Sequence, residues 1–239
     1  MPRFFIDSLV GGKFTVTGEQ AKHIEKSLRM KIGETLILCH DMMDYECEIT
    51  GFSPDGVAVR LLKSQKNENE PNVRVTLYQA LPKGDKLDTV IMKAVELGVH
   101  EICPILSERS VSRPDEKSAL NKVRRWRKIA EEAAMQSQRG IIPAVSEILG
   151  FDEALKKFCS HELCIVFYEG GGESLREILK TRAADIAVFI GPEGGIGKAE
   201  IARFMDGQAV TATLGKRILR TETAPVTALS IIMFETENM

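Results

Sequence analysis

No apolar run in the 239-residue chain approaches the ~18 residues that a membrane span requires, and the opening "MPRFFIDSLVGGK" lacks the long apolar core of a secretory signal. A cytoplasmic protein with no membrane partner is the expectation. Cysteine is scarce: five residues, at 39, 47, 103, 159 and 164, odd in number, without a C-x-x-C pair and mostly inside apolar, strand-like runs. That pattern argues against a disulfide framework and offers no metal-ligand spacing, so they read as reduced core residues and no metal is expected. A surplus of basic charge is missing as well. With a formal net charge of −2 there is no global signal for nucleic acid, and any RNA surface has to be a local patch. What remains is an ordinary globular composition, 44% hydrophobic and 28% charged, long enough for one large domain or two small ones with a real core.

The stretch "SQKNENEPN" (64–72) is polar, has no aliphatic residue and contains Pro71, as linkers do, and divides the chain near residue 70. Before it, "ETLILCH", "YECEITGF" and "GVAVRLLK" read as strands separated by the turn signals "DMMD" and "SPDG". One helical stretch, "EQAKHIEKSLRM", follows Thr17 and Gly18. Residues 1–70 therefore read as a small β-barrel. In 71–239 the apolar runs "VRVTLYQAL", "EICPIL", "LCIVFYE", "DIAVFIG" and "AVTATLG" alternate with helical patterns, which argues an α/β domain with a parallel sheet.

Two stretches in the second domain carry the chemistry. "FIGPEGGIGKAE" (189–200) packs four glycines and a proline between an apolar strand and a helix. Phosphate is the obvious ligand for such a turn. A Walker loop, however, needs Gly where Pro192 stands and Ser or Thr where Ala199 stands, and the dinucleotide pattern has Glu200 at its third glycine. Glu193 inside the turn would also repel a polyphosphate. The second stretch, "TLGKRILRTETAPVTALSIIMFE", runs from a strand through a basic loop into an apolar helix near Ala224, with Thr223 as cap and Pro225 at the helix start. Loops 191–197 and 215–223 either converge on one site beyond the strands' carboxyl ends or are two well-capped tight turns.

At this spacing "FIGPEGGIGKAEI" and "LGKRILRTETAPVTAL" resemble the SPOUT methyltransferases, and closely the bacterial 16S rRNA (uracil-N3) methyltransferase family. The likeness extends to "AKHIEKSLRMKIGE", "QALPKGDKLDTVIMKAVELGVHEICPILSERSV" and "RWRKIAEEAAMQSQRGIIP"; Ser27 departs from the more usual valine. The resemblance implies a trefoil-knotted SPOUT domain at 71–239, a PUA-like RNA-binding barrel at 1–70 and a homodimer. It also implies S-adenosyl-L-methionine as cofactor and 16S rRNA or the 30S subunit as substrate, methylated at N3 of a uridine near the decoding region. The cofactor would be held by Ile190, Gly191, Pro192, Glu193, Gly194, Leu214, Gly215, Ile218, Leu219 and Thr223.

Methylation at N3 requires loss of an imide proton and stabilisation of charge on the base. Glu222 is a candidate proton acceptor and Arg220 a candidate for charge stabilisation; the alternative is an ion pair between the two. The pairing edge must also be exposed, which demands an RNA-gripping surface. Candidates are "KVRRWRK" (Lys122, Arg124, Arg125, Arg127), Arg109 after a strand's carboxyl end, and Arg3, His23 and Arg29 in the small domain. For "KVRRWRK" the alternative is a helix face whose Trp126, Ile129 and Ala133 form a core stripe. Two rival functions stand beside the enzyme: a nucleotide-dependent transferase using the Gly-rich turn, and a non-catalytic RNA-binding or assembly factor of the same fold.

Overall fold

The computed structural model describes residues 1–6 and 14–239. They form two compact units, Met1–Glu70 with Ala134–Ile142, and Pro71–Ala133 with Pro143–Met239.

In the first unit, strands β1 (Arg3–Phe5), β2 (Phe14–Val16), β3 (Thr35–His40), β4 (Met43–Ser53) and β5 (Gly56–Lys66) make one sheet in the order β1-β3-β4-β5-β2. Only the β1–β3 pair is parallel. The "DMMD" turn places Asp41 and Met42 at φ of 47° and 62°, the left-handed pair that a two-residue hairpin needs to match strand twist. At the next turn Gly56 has a φ of +139°, and a Cβ there would lie 2.2 Å from the Val16 carbonyl oxygen, so the approach of β2 requires glycine. Helix α1 (Gly18–Lys22) continues as a π-helical turn, His23–Ser27, and contributes Ala21 and Ile24 to a core with Phe4, Leu36, Leu38, Cys47, Ile49 and Val59.

Two expectations change here. Arg3, expected in an exposed basic patch, is 8% exposed. Both terminal guanidinium nitrogens donate to the Asp44 carboxylate and its Nε donates to the Arg139 carbonyl at 3.1 Å. A guanidinium spent this way is not available to phosphate, and Arg3 leaves the RNA-binding set. Nor is "SQKNENEPN" a free linker. Ser64–Lys66 finish β5, Asn67 donates to Asp44 and to the Gln138 carbonyl, both at 3.1 Å, and Glu70 takes the Arg139 guanidinium at 2.6 Å and the Gly140 N–H at 2.8 Å. Polar composition here marks a buried ionic network.

In the second unit the strands are β6 (Arg74–Ala80), β7 (Glu101–Leu106), β8 (Ala144–Val145), β9 (Leu149–Gly150), β10 (Leu163–Phe167), β11 (Glu173–Ser174), β12 (Asp185–Ile190) and β13 (Val210–Thr213). All pair in parallel, in the order β11-β13-β10-β12-β6-β7-β8, with β9 on β7. The expected α/β unit with a parallel sheet is present, and its near-continuous apolar strands are buried as such sheets require. The helices are α2 (Lys86–Glu96), α3 (Glu116–Gln136), α4 (Phe151–Phe158), α5 (Leu175–Ile178), α6 (Lys198–Asp206) and α7 (Ala224–Glu235). Phe158 and Phe204 meet edge-on at 5.1 Å, and Phe189 joins them from β12, fixing α4 and α6 on the sheet. The strand order positions the site: β13 lies beyond β10, so chain leaving β13 must cross the carboxyl ends of β10 and β12 to reach β6.

Removing one partner of the Arg3–Asp44 pair strands a charge in the interior. Arg3→Met and Asp44→Asn should each lower the stability of the first unit by about 3–5 kcal/mol. Arg60→Met, which breaks a pair whose arginine is 66% exposed, should cost less than about 1 kcal/mol. Urea midpoints at unchanged slope measure the difference; equal costs would refute a structural role for the buried pair.

Candidate active site

The loops after β10, β12 and β13 all leave the sheet at its carboxyl edge, where open α/β sheets bind ligands. They enclose a cavity of about 570 Å³. Ile190, Gly191, Pro192, Glu193 and Gly194 line it from one loop; Leu214, Gly215, Ile218, Leu219 and Arg220 line it from the other. The two stretches singled out in the sequence therefore face one space. Thr223 and Glu222 are not among its lining residues, whereas Lys86, Glu169 and Thr221 are.

What joins the loops is Thr221, 6% exposed. Its hydroxyl donates to the Gly191 carbonyl at 2.9 Å and accepts from the Gln79 amide at 3.2 Å. Because that hydroxyl proton goes to Gly191, Gln79 has to present its NH₂, which also reaches the Ala80 carbonyl at 3.1 Å. Gln79 is wholly buried and its Oε1 has no partner, a cost accepted to bring residue 221 onto the end of β6. The Gly-rich turn is held from two further directions. Arg109 donates to the Gly194 carbonyl at 2.9 Å, and the buried Glu200 carboxylate accepts from Gly197 N–H at 3.1 Å and Glu108 N–H at 2.8 Å. Gly195 has a φ of +71°, a left-handed conformation that glycine adopts without strain, and the Glu169 carboxylate reaches over it into the space a Cβ would take.

The electrostatics centre on Lys86, at the start of α2. Its ammonium is 2.7 Å from Glu193 Oε1 and 3.5 Å from Glu222 Oε2. Burial alone would raise the Glu193 carboxyl, but hydrogen bonds from Lys86 and from backbone N–H groups, among them that of Lys83, win and hold it below the usual carboxylate range. The same hydrogen bond to Glu193 raises Lys86. Glu222 Oε2 is buried and has no hydrogen-bond partner. The alternative pairing of Arg220 with Glu222 is not formed among the described residues: Arg220 is exposed and the cation beside Glu222 is Lys86.

Two expected details differ. Thr223 stands at the N-cap of α7, yet its hydroxyl makes no capping bond; its backbone donates to the Arg220 carbonyl instead, at 2.8 Å. Ile218 touches the cavity while remaining 87% exposed, so it does not wall off an apolar slot. Of the basic candidates, His23 and Arg29 are exposed in the first unit. Within "KVRRWRK", Trp126 is 3% exposed and donates to Asp88 at 3.1 Å, Arg125 pairs with Asp88 and Asp85, and Arg127 pairs with Glu147 at 2.8 Å and donates to the Val145 carbonyl at 3.0 Å. Trp126 and Ala133 are buried and Ile129 half-buried, as the core-stripe alternative has it, while the Arg125, Arg127 and Arg124 side chains stay open to solvent and Lys122 lies 6.0 Å from the Trp126 ring centroid.

Residues 68–233 match the RNA methyltransferase domain family. The chain is 38% identical over 232 residues to ribosomal RNA small subunit methyltransferase E of Bacillus subtilis (strain 168), covering 94% of this chain and 91% of that protein. The crystal structure of a ribosomal RNA small subunit methyltransferase E from Neisseria gonorrhoeae, bound to S-adenosyl methionine, superimposes with a TM-score of 0.88 at 30% identity, covering 98% of this chain and 97% of that one. A putative methyltransferase of Legionella pneumophila, also holding that cofactor, gives a TM-score of 0.89 at 28% identity, covering 97% and 96% of the two chains. The chain belongs to the RNA methyltransferase domain family, among its ribosomal RNA small subunit methyltransferase E members.

Proposed function

We propose that this protein methylates N3 of a uridine in 16S rRNA, near the decoding region of the small subunit, using S-adenosyl-L-methionine. The observation that carries the reading is the cavity at the carboxyl ends of β10, β12 and β13. Its chemistry suits that cofactor: Ile190, Leu214 and Leu219 offer apolar surface, the two loops present backbone polar groups, and the Glu169 and Glu193 carboxylates suit a ligand with sulfonium and ammonium charges. Bound there, the cofactor supplies an electrophilic methyl group whose bonding electrons return to sulfur. Glu222 takes the imide proton through water, and Arg220, exposed at the cavity rim, faces the carbonyl oxygens on which negative charge collects.

The passage of the chain from β13 to Gln79, across two intervening strand ends, supports a trefoil knot as the frame of the cavity. In the first unit, the five-stranded sheet with exposed His23 and Arg29 supports a PUA-like RNA-binding barrel. Helix α7 leaves Phe234 66% exposed, an apolar face that suits a homodimer. The working place for such an enzyme is the cytoplasm, where its substrate is assembled.

Gly195→Val and Gly215→Val both force a β-branched residue into a left-handed conformation, at φ of +71° and +106°. Calorimetry should show S-adenosylmethionine binding abolished in both while α-helical content is kept, with no binding of ATP by the unaltered protein. Wild-type cofactor affinity in both folded variants would sink the assignment.

Glu222→Gln and Arg220→Ala should each lower single-turnover methyl transfer by about 10²–10⁴ at neutral pH with cofactor affinity nearly intact. Raising the pH ionises the imide in solution, so it should partly rescue Glu222→Gln and rescue Arg220→Ala less. A wild-type rate for Glu222→Gln at pH near 7 removes it as the proton acceptor.

A further inference from the structure

Lys86 is not among the site residues expected from the sequence, yet it is the only side chain within ion-pair distance of both Glu193 and Glu222 among the described residues. Three elements meet at its ammonium: the start of α2, the turn after β12 and the loop before α7. The arrangement is unbalanced, one cation for two carboxylates. Glu193 has the shorter contact and further donors in the Lys83 and its own backbone N–H groups. Glu222 has only the longer contact, and its inner oxygen is buried without a hydrogen bond. Its own loop adds Arg220, which is exposed and makes no ion pair with it.

We propose that Lys86 is a positioning residue for methyl transfer: shared between Glu193 and Glu222, it holds the Glu222 carboxylate, in its ionised form, beside the cavity that Lys86 itself lines. This rests on the reading of Glu222 as proton acceptor. The imide N–H bond breaks with its electron pair left on nitrogen, and the proton passes through water to the solvent-facing side of the Glu222 carboxylate, bringing the cluster of two carboxylates and one ammonium from net −1 to neutral. Lys86 lowers the energy of the ionised form, so losing it raises the pH at which Glu222 is protonated. Glu193 competes for the same ammonium, so neutralising Glu193 leaves Lys86 to Glu222 and lowers that pH. The two substitutions act in opposite directions, which a merely structural role does not produce.

The test is a ¹³C NMR titration of the side-chain carboxyls in the ligand-free protein, with the Glu222 resonance identified by its loss in Glu222→Gln. Lys86→Met should move the Glu222 midpoint up by roughly one pH unit or more, Glu193→Gln should move it down, and Lys86→Arg should leave it near the unaltered value. The acid limb of single-turnover methyl transfer at saturating cofactor should move with each midpoint. Midpoints that stay put, or that move the same way in Lys86→Met and Glu193→Gln, overturn the proposal. If Glu222→Gln methylates at the unaltered rate while the midpoints still shift, the ionic coupling stands but the catalytic reading of Glu222 fails, and with it the role given to Lys86.

Discussion

One hydroxyl holds the site together. The loops after β12 and β13 start from strands separated by β10, and neither contains a helix or ladder that would fix it to the other. Thr221 closes the gap by giving its proton to the Gly191 carbonyl and taking one from Gln79. An ordinary neutral hydrogen bond contributes only about 1 kcal/mol net, but a broken one that leaves a buried partner stranded costs about 1–3 kcal/mol. Gln79 is already stranded on one side, so the loss of Thr221 would leave its whole amide nearly unserved. The cavity, the placement of Arg220 and the approach of Glu222 to Lys86 all follow from where residue 221 is pinned.

Charge distribution explains why this protein is an RNA enzyme candidate without being a basic protein. Two arginines are spent in the interior, Arg3 on Asp44 and Arg139 on Glu70, and the half-exposed Arg125 pairs with Asp88. These pairs hold loops and helices in register rather than projecting a field. Exposed lysines and arginines are spread over the surface and outnumbered by acidic residues along the chain, and Lys216, Arg217 and Arg220 gather at the cavity rim. A small number of exposed charges at the point of reaction gives orientation, at modest cost in non-specific affinity.

The carboxyl-edge loops were legible in the sequence because the spacing of glycine and proline constrains backbone geometry; "GPEGG" and "RILRTETA" lie where expected. The five principal strands of the parallel sheet were equally legible, since burial on both faces writes itself as unbroken apolar runs. Partnership between distant charges was not. Nothing around Arg3 signals that Asp44 will bury it, and Lys86 at the head of an amphipathic helix looks like any other solvated lysine. Gln79 carries no signal either: one amide at the end of an apolar run becomes a keystone only through contact with Thr221, 142 residues on. Such information lives in tertiary proximity, to which local pattern is blind.

The one tryptophan has a consequence for how the molecule can be observed. Trp126 is almost wholly enclosed, and its indole N–H is fixed to Asp88, two residues on from Lys86, the α2 residue that lines the cavity. Indole emission depends on the field of the carboxylate it donates to. The protein therefore carries a built-in optical gauge: displacement of the first turn of α2 by a ligand appears as a change in the emission of its single indole, with no label attached.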